Sequence, residues 1–173
     1  MSINVTTINP PFQKNYSRQS RSPCVAKSGT IYYAYYLAYA GCAMEMAGNT
    51  VTHIDCIIED LDFEATITRM KNNPPELVII DTSTPSIMSD IRFARLVKIE
   101  FPNAKVGLCG TFPSKNIEDM IELRKSHDAK FDFVLRGEYE ETCERLAALI
   151  AENEDISELK GIAYFTDTSE AGQ

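Results

Sequence analysis

The chain has 173 residues, and 17 Lys and Arg against 25 Asp and Glu leave a formal charge of −8. That balance argues against a nucleic-acid partner, which would need a segregated cationic face to meet its phosphates. With 44% hydrophobic and 24% charged residues, the composition is that of one ordinary globular domain with a real core.

The opening Met1-Ser2-Ile3-Asn4-Val5 has no positive region followed by an apolar run, so no secretory signal is read and a cytoplasmic location is expected. The most apolar stretch, Ile31 to Ala47, carries five tyrosines and Glu45. It falls short of the roughly 20 apolar residues of a membrane helix, so no membrane partner is expected and it reads as a buried amphipathic helix. Cys24, Cys42, Cys56, Cys109 and Cys143 form an odd set without Cys-x-x-Cys spacing, which fits reduced thiols rather than a disulfide framework, zinc site or iron–sulfur triplet.

In chain order, strand-like and helix-like patterns alternate, the sign of a parallel sheet with crossover helices. Ile3 to Ile8 alternates apolar with polar and is expected as the first strand, stopped by Asn9-Pro10-Pro11 because paired prolines cannot continue a ladder. Residues 10 to 29 hold Lys14, Arg18, Arg21 and Lys27 and no acid, either a functional segment or a solvated excursion. A helix is expected from Thr30 to Ala47, closed by Gly48-Asn49, with Tyr32, Tyr33, Tyr35, Tyr36 and Tyr39 read as core and helix-packing residues. Val51 to Cys56 is the second strand, and Asp62 caps a helix to Asn73 that Pro74-Pro75 ends. The unbroken apolar run Leu77 to Ile80 suits a central strand covered on both faces. Then follow a helix from Ser86 to Phe101, a strand from Lys105 to Cys109, a helix from Asn116 to Ser126, a strand from Phe131 to Leu135 and a helix from Tyr139 to Glu152. Leu159 to Phe165 reads as one more short strand, and residues 166–173 as a polar tail or the start of a linker after a domain spanning 1–165.

In an open parallel sheet, ligands bind beyond the carboxyl ends of the strands. Those segments are Asn9-Pro10-Pro11, Asp55, Thr82-Ser83-Thr84-Pro85, Gly110-Thr111-Phe112-Pro113 and Arg136-Gly137-Glu138. Hydroxyls and glycines let a bulky polar ligand come close, though such loops also occur merely as turns. Catalytic sets are poorly supplied. His53 and His127 lack neighbours spaced for a metal or a triad, and no Gly-x-Gly-x-x-Gly or phosphate-loop Gly-Lys-Ser/Thr is present. Glu140-Glu141 fits the first turn of a helix, where the dipole favours carboxylates.

The ordered set Asn9-Pro10-Pro11, Leu37-Ala38-Tyr39, Ala47-Gly48, Asp55, Pro75-Glu76-Leu77-Val78 and Thr82-Ser83-Thr84-Pro85 resembles the N-terminal cobalamin-binding domain of cobalamin-dependent radical S-adenosylmethionine enzymes. Phe101 to Val106 leading to Cys109-Gly110-Thr111-Phe112-Pro113, and Arg136-Gly137-Glu138-Tyr139-Glu140-Glu141-Thr142, are similar to that family's Gly-Gly-x-x-Pro loop and Arg-Gly-Glu-x-Glu-x-Thr signature. Gly161-Ile162-Ala163-Tyr164 matches its domain exit. Two departures stand out: Cys109-Gly110 replaces the common Gly-Gly, and Tyr36 falls near a usual glycine.

The resemblance implies an α/β, flavodoxin-like (Rossmann-like) three-layer sandwich, with a parallel sheet of five strands in order 2-1-3-4-5. Its carboxyl edge would bind cobalamin base-off, because the Asp-x-His-x-x-Gly of histidine-ligating corrinoid proteins is missing. Carried over, Ser83 and Thr84 would hydrogen-bond the nucleotide tail. Gly110, Thr111 and Gly137 would leave room for it, and Asn9 and Pro10 would line the corrin side. Pro11, Asp55, Thr82, Cys109, Pro113, Arg136 and Glu138 complete the implied cofactor-binding set, with an Arg136–Glu138 ion pair as the alternative role for that loop. The family's iron–sulfur Cys-x-x-x-Cys-x-x-Cys motif is not in this sequence. S-adenosylmethionine and a [4Fe-4S] cluster are therefore expected only in a barrel domain in cis, on a parent carrying out methyl transfer, cyclisation or related radical chemistry. Two rivals stay open: a receiver-like signalling domain phosphorylated at Asp81, and a stand-alone cobalamin carrier or interaction module.

Overall fold

The structure, a computed structural model, describes residues 1–19 and 22–165 and the backbone of 171–172. Arg21 of the basic loop, and most of the expected tail or linker over 166–173, lie outside the described residues.

The elements in chain order are β1 (Asn4–Asn9), β2 (Tyr16–Ser17), β3 (Cys24–Val25), α1 (Tyr35–Met46), β4 (Thr50–Asp55), α2 (Phe63–Met70) and β5 (Leu77–Asp81). There follow α3 (Ile87–Glu100), β6 (Lys105–Cys109), α4 (Thr111–Lys115), α5 (Ile117–Ser126), β7 (Phe133–Leu135), α6 (Glu140–Ala151), β8 (Ile162–Phe165) and β9 (Ala171–Gly172). The main sheet runs β4-β1-β5-β6-β7-β8-β9. Its first five strands are parallel, in the expected 2-1-3-4-5 order, with Val5 between Val51 and Leu77 and Gly107 beside Phe133. Two antiparallel strands, β8 and β9, extend the expected five-stranded sheet to seven. The addition has a physical reason: β8 covers the open hydrogen-bonding edge of β7 and buries Ile162, Ala163 and Phe165.

Side chains alternate across the sheet with period 2, and this separates the core into two layers. Leu77 and Ile79 join Val5, Phe133 and Leu135 against α1 and α6, through Leu37, Ala40, Met44, Leu146 and Ala147. Val78 and Ile80 join Ile8, Ile54, Val106 and Leu108 against α2, α3 and α5, through Met70, Phe93, Val97 and Met120. The expected three-layer sandwich is therefore present, with the Leu77–Ile80 run buried on both faces. The Phe133 ring lies so close over Gly107 that a Cβ there would sit 2.0 Å from it. Asp62 caps α2, accepting from the Ala65 amide at 2.8 Å.

One expectation fails at α1. The helix begins at Tyr35, not Thr30, and its inward stripe is Leu37, Ala40, Gly41 and Met44. Gly41 packs against Thr7 and Val51, where no large ring fits. The tyrosines consequently face outward: Tyr32, Tyr33, Tyr36 and Tyr39 are 50–60% exposed, and Tyr35 is 37% exposed. They are surface residues rather than core. Among the described residues no helix is long and apolar enough to cross a membrane.

Candidate functional site

The carboxyl edge of the sheet has two unlike halves. Over the ends of β4, β1 and β5, the long connection after β1 folds back as a strap. Its β2 pairs antiparallel with β3, and Tyr16, Ser17 and Arg18 are buried. The Arg18 side chain is 0% exposed. Its Nη1 donates to Asn9 Oδ1 at 2.7 Å and to the Pro10 carbonyl at 2.9 Å, and its Nη2 donates to Asp90 Oδ1 at 2.7 Å. Asn9 Nδ2 in turn donates to Asp55 Oδ1 at 2.9 Å, which also receives the Ile57 and Ile58 amides. Tyr16 OH lies 2.8 Å from Ser83 Oγ, and Gln19 Nε2 donates to Asp81 Oδ2 at 2.6 Å. Thr82 Oγ1 donates to the Cys109 carbonyl at 2.7 Å.

The expected site residues Asn9, Pro10, Pro11, Asp55, Thr82, Ser83 and Cys109 are thus brought together, and all are buried. Their polar groups are largely engaged with one another or with the strap. Burial raises Asp81 and Asp90 to about 6, the shared Arg18 only partly offsetting it. Burial also pushes the Cys109 thiol well above its ordinary value, with Asp81 adding to the effect, which leaves it a poor nucleophile.

The second half lies at the ends of β6 and β7 and the loop after β5. Here Thr84, Thr111, Arg136, Gly137 and Glu138 are exposed, while Pro113 is buried. The hydroxyls of Thr84 and Thr111 have no hydrogen-bond partner among the described residues, and no ion pair joins Arg136 to Glu138. The Arg136 amide donates to the Gly161 carbonyl and the Gly137 amide to Ser114 Oγ at 3.1 Å, so the backbone of this loop is held while its side chains stay free. Gly110 has a φ of +117°, and a Cβ there would meet the Thr82 carbonyl oxygen at 2.3 Å. The close approach of the chain's own backbone already demands glycine.

The two histidines are placed differently. His53 is in the body of β4 with Nδ1 2.9 Å from Thr7 Oγ1, and His127 follows α5, at the opposite end of the sheet. Among the described residues no group of three or more His, Cys, Asp or Glu is placed to hold a metal ion. Sequence reasoning missed Tyr16, Gln19, Ser86 and Asp90 and left the role of Arg18 open. A signal did exist for Asp90: it interrupts the inward stripe Ile87, Ile91 and Ala94 of α3, and a buried acid requires a cation.

No family model matches the chain. The anaerobic magnesium-protoporphyrin IX monomethyl ester cyclase of Synechocystis sp. is 27% identical over 123 residues, which is 70% of this chain and 24% of that protein. The radical S-adenosylmethionine methyltransferase TsrM of Kitasatospora setae superposes with a TM-score of 0.73 at 16% identity, over 98% of this chain and 29% of that one. The cobalamin-dependent S-adenosylmethionine radical enzyme OxsB gives 0.73 at 15% identity, over 98% and 22%. The fold is the one these radical enzymes carry over the matching segment. The resemblance read from the sequence thus holds in three dimensions, and the chain spans about a quarter of the length of these relatives. A response regulator from Thermotoga maritima matches less well, with a TM-score of 0.52 at 15% identity over 87% of this chain.

Proposed function

We propose that this chain binds cobalamin at the carboxyl edge of its sheet, as the 1–165 cofactor domain of a larger radical S-adenosylmethionine enzyme. The observation that carries this reading is the overlap of 98% of the chain with cobalamin-dependent radical enzymes, on a sheet edge of the right chemistry. Thr84, Thr111 and Arg136 offer unengaged donors, and Gly137 stands in open space with no side chain to obstruct a ligand. Asn9, Pro10, Pro11, Asp55, Thr82, Ser83, Cys109 and Pro113 form the packed floor, and Glu138 the rim. His53 Nδ1 is engaged with Thr7 Oγ1 and His127 follows α5, which supports base-off binding without a histidine beneath cobalt. When bound, cobalamin would supply methyl-carrying or related radical chemistry. A barrel domain in cis would hold the [4Fe-4S] cluster and S-adenosylmethionine, and would determine whether the parent methylates or cyclises its substrate.

The receiver alternative finds less support. Asp81 is 2% exposed and engaged by Gln19, and Asn9 and Pro10 stand where a magnesium-binding acidic pair would be needed. The decisive experiment is incubation of the chain with hydroxocobalamin and with methylcobalamin, followed by desalting and a visible spectrum. One retained equivalent with a base-off spectrum is expected. Complete loss of the corrinoid on desalting, with magnesium-dependent phosphorylation of Asp81, would replace this reading with the receiver.

A further inference from the structure

The buried half of the edge permits a proton count. Asp90 is paired with the Arg18 guanidinium at 2.7 Å, and a carboxylate only accepts, so Ser86 Oγ, 2.6 Å from Asp90 Oδ2, gives its proton there. Ser83 Oγ, 2.7 Å from Ser86 Oγ, must then donate to Ser86. Tyr16 OH, 2.8 Å from Ser83 Oγ, must donate to Ser83. The row therefore runs one way, from Tyr16 through Ser83 and Ser86 to Asp90, and Arg18 Nη2 balances its charged end at 2.7 Å. Ser83 has no proton left to give. Its hydroxyl is also buried, the residue being only 5% exposed.

The nucleotide tail of cobalamin carries a phosphodiester, an anion that accepts hydrogen bonds and donates none. Resting on the cobalamin reading, we infer that Thr84, Thr111 and Arg136 recognise this phosphate, and that Ser83, on the same loop as Thr84, does not. The three residues follow β5, β6 and β7, which are neighbours in the sheet, with Asp81 opposite Cys109 and Leu108 opposite Val134. Adjacent strands lie about 4.8 Å apart, so the three residues follow strand ends that together span about 10 Å of the rim. Each is exposed with no side-chain partner among the described residues, so a phosphate displaces nothing. A guanidinium gives a phosphate oxygen pair two parallel donors, and the threonine hydroxyls add one each. Asp81 and Asp90, whose charge would repel the anion, are covered by the strap through Gln19 and Arg18. Ser83 and Tyr16 act as bracing residues that hold the strand ends together.

The test compares hydroxocobalamin with cobinamide, which lacks the phosphate and the nucleotide, in equilibrium titrations followed by visible absorbance. Thermal melts run in parallel. Thr84→Val and Thr111→Val are expected to weaken cobalamin binding about fivefold each, and Arg136→Gln about tenfold or more. None of the three should change cobinamide affinity or the melting temperature. Ser83→Ala and Tyr16→Phe are expected to lower the melting temperature and leave the ratio of the two affinities as in the wild type. The inference is overturned if Ser83→Ala collapses that ratio as Arg136→Gln should, or if Arg136→Gln weakens both corrinoids equally. Failure of the wild type to bind either corrinoid would instead bring down the cobalamin reading itself, and this inference with it.

Discussion

The two halves of the sheet edge are built from the same motif, a strand ending in a polar loop, yet one is closed and the other open. Connection length makes the difference. After β1 the chain travels from Pro10 to Ala34 before α1 begins, long enough to fold back and bury Tyr16 and Arg18. After β6 only Gly110 intervenes before α4, and after β7 only residues 136–139 precede α6. Short connections cannot cover themselves, so Thr111, Arg136 and Glu138 remain in solvent. The closed half concentrates buried charge that must be matched internally, whereas the open half leaves its donors unengaged. On the proposed function, the closed half braces the edge and the open half recognises the ligand.

The contrast breaks most severely at Arg18. Arg18→Ala leaves Asp90 buried beside Asp81 with no ion-pair partner among the described residues, and removing one partner of a buried pair costs about 3–5 kcal/mol. Urea unfolding should show that loss, while Lys14→Ala, at the exposed 3.9 Å pair with Asp60, should change stability by less than about 0.5 kcal/mol. Equal effects would mean that the strap does not brace the edge.

Gly110 and Gly137 sharpen the comparison within the open half. Both have positive φ, but a Cβ at Gly110 strikes the Thr82 carbonyl, whereas at Gly137 nothing lies within 4 Å. Gly110→Ala is expected to destabilise by about 3 kcal/mol and Gly137→Ala by about 1 kcal/mol, read from the same unfolding curves. Reversal of that order would refute the close approach of β6 to β5 at this edge.

Stability should also depend on pH. Burial holds Asp81 and Asp90 at about 6. An acid raised on folding contributes stability that is complete below its unfolded value near 4 and is lost as pH climbs through about 6. Burial lowers His53, which works in the opposite direction. The informative quantity is therefore the difference between wild type and Asp81→Asn, in which His53 cancels. The variant should gain about 2 kcal/mol on the wild type between about pH 4 and pH 7.5. A difference independent of pH would show that Asp81 is not held in a dry, charged cluster.

Much of the fold was legible in the residues. Period-2 alternation in Ile3–Ile8, the doubly apolar Leu77–Ile80, the Asp62 cap and the Gly48 stop are local signals, and each element appears where they indicate. The tyrosines of α1 were misread because aromatic content does not say which face is inward; small Gly41 and Ala40 held that face. The candidate site was legible as a set of loop ends, since topology alone directs ligands there. Which of its hydroxyls are available was not legible, because Ser83 and Thr84 are adjacent in sequence and opposite in burial.

The amino-acid sequence by itself determined the kind and order of the elements and the handful of loops that meet at one edge, because periodicity, caps and proline breaks act over a few residues. Only the tertiary structure decided which polar groups at that edge are already satisfied. Arg18 meets Asp90 across 72 positions of chain, and Tyr16 meets Ser83 across 67. Pairings so distant depend on where the strap lands once the sheet has formed, and no local pattern encodes that.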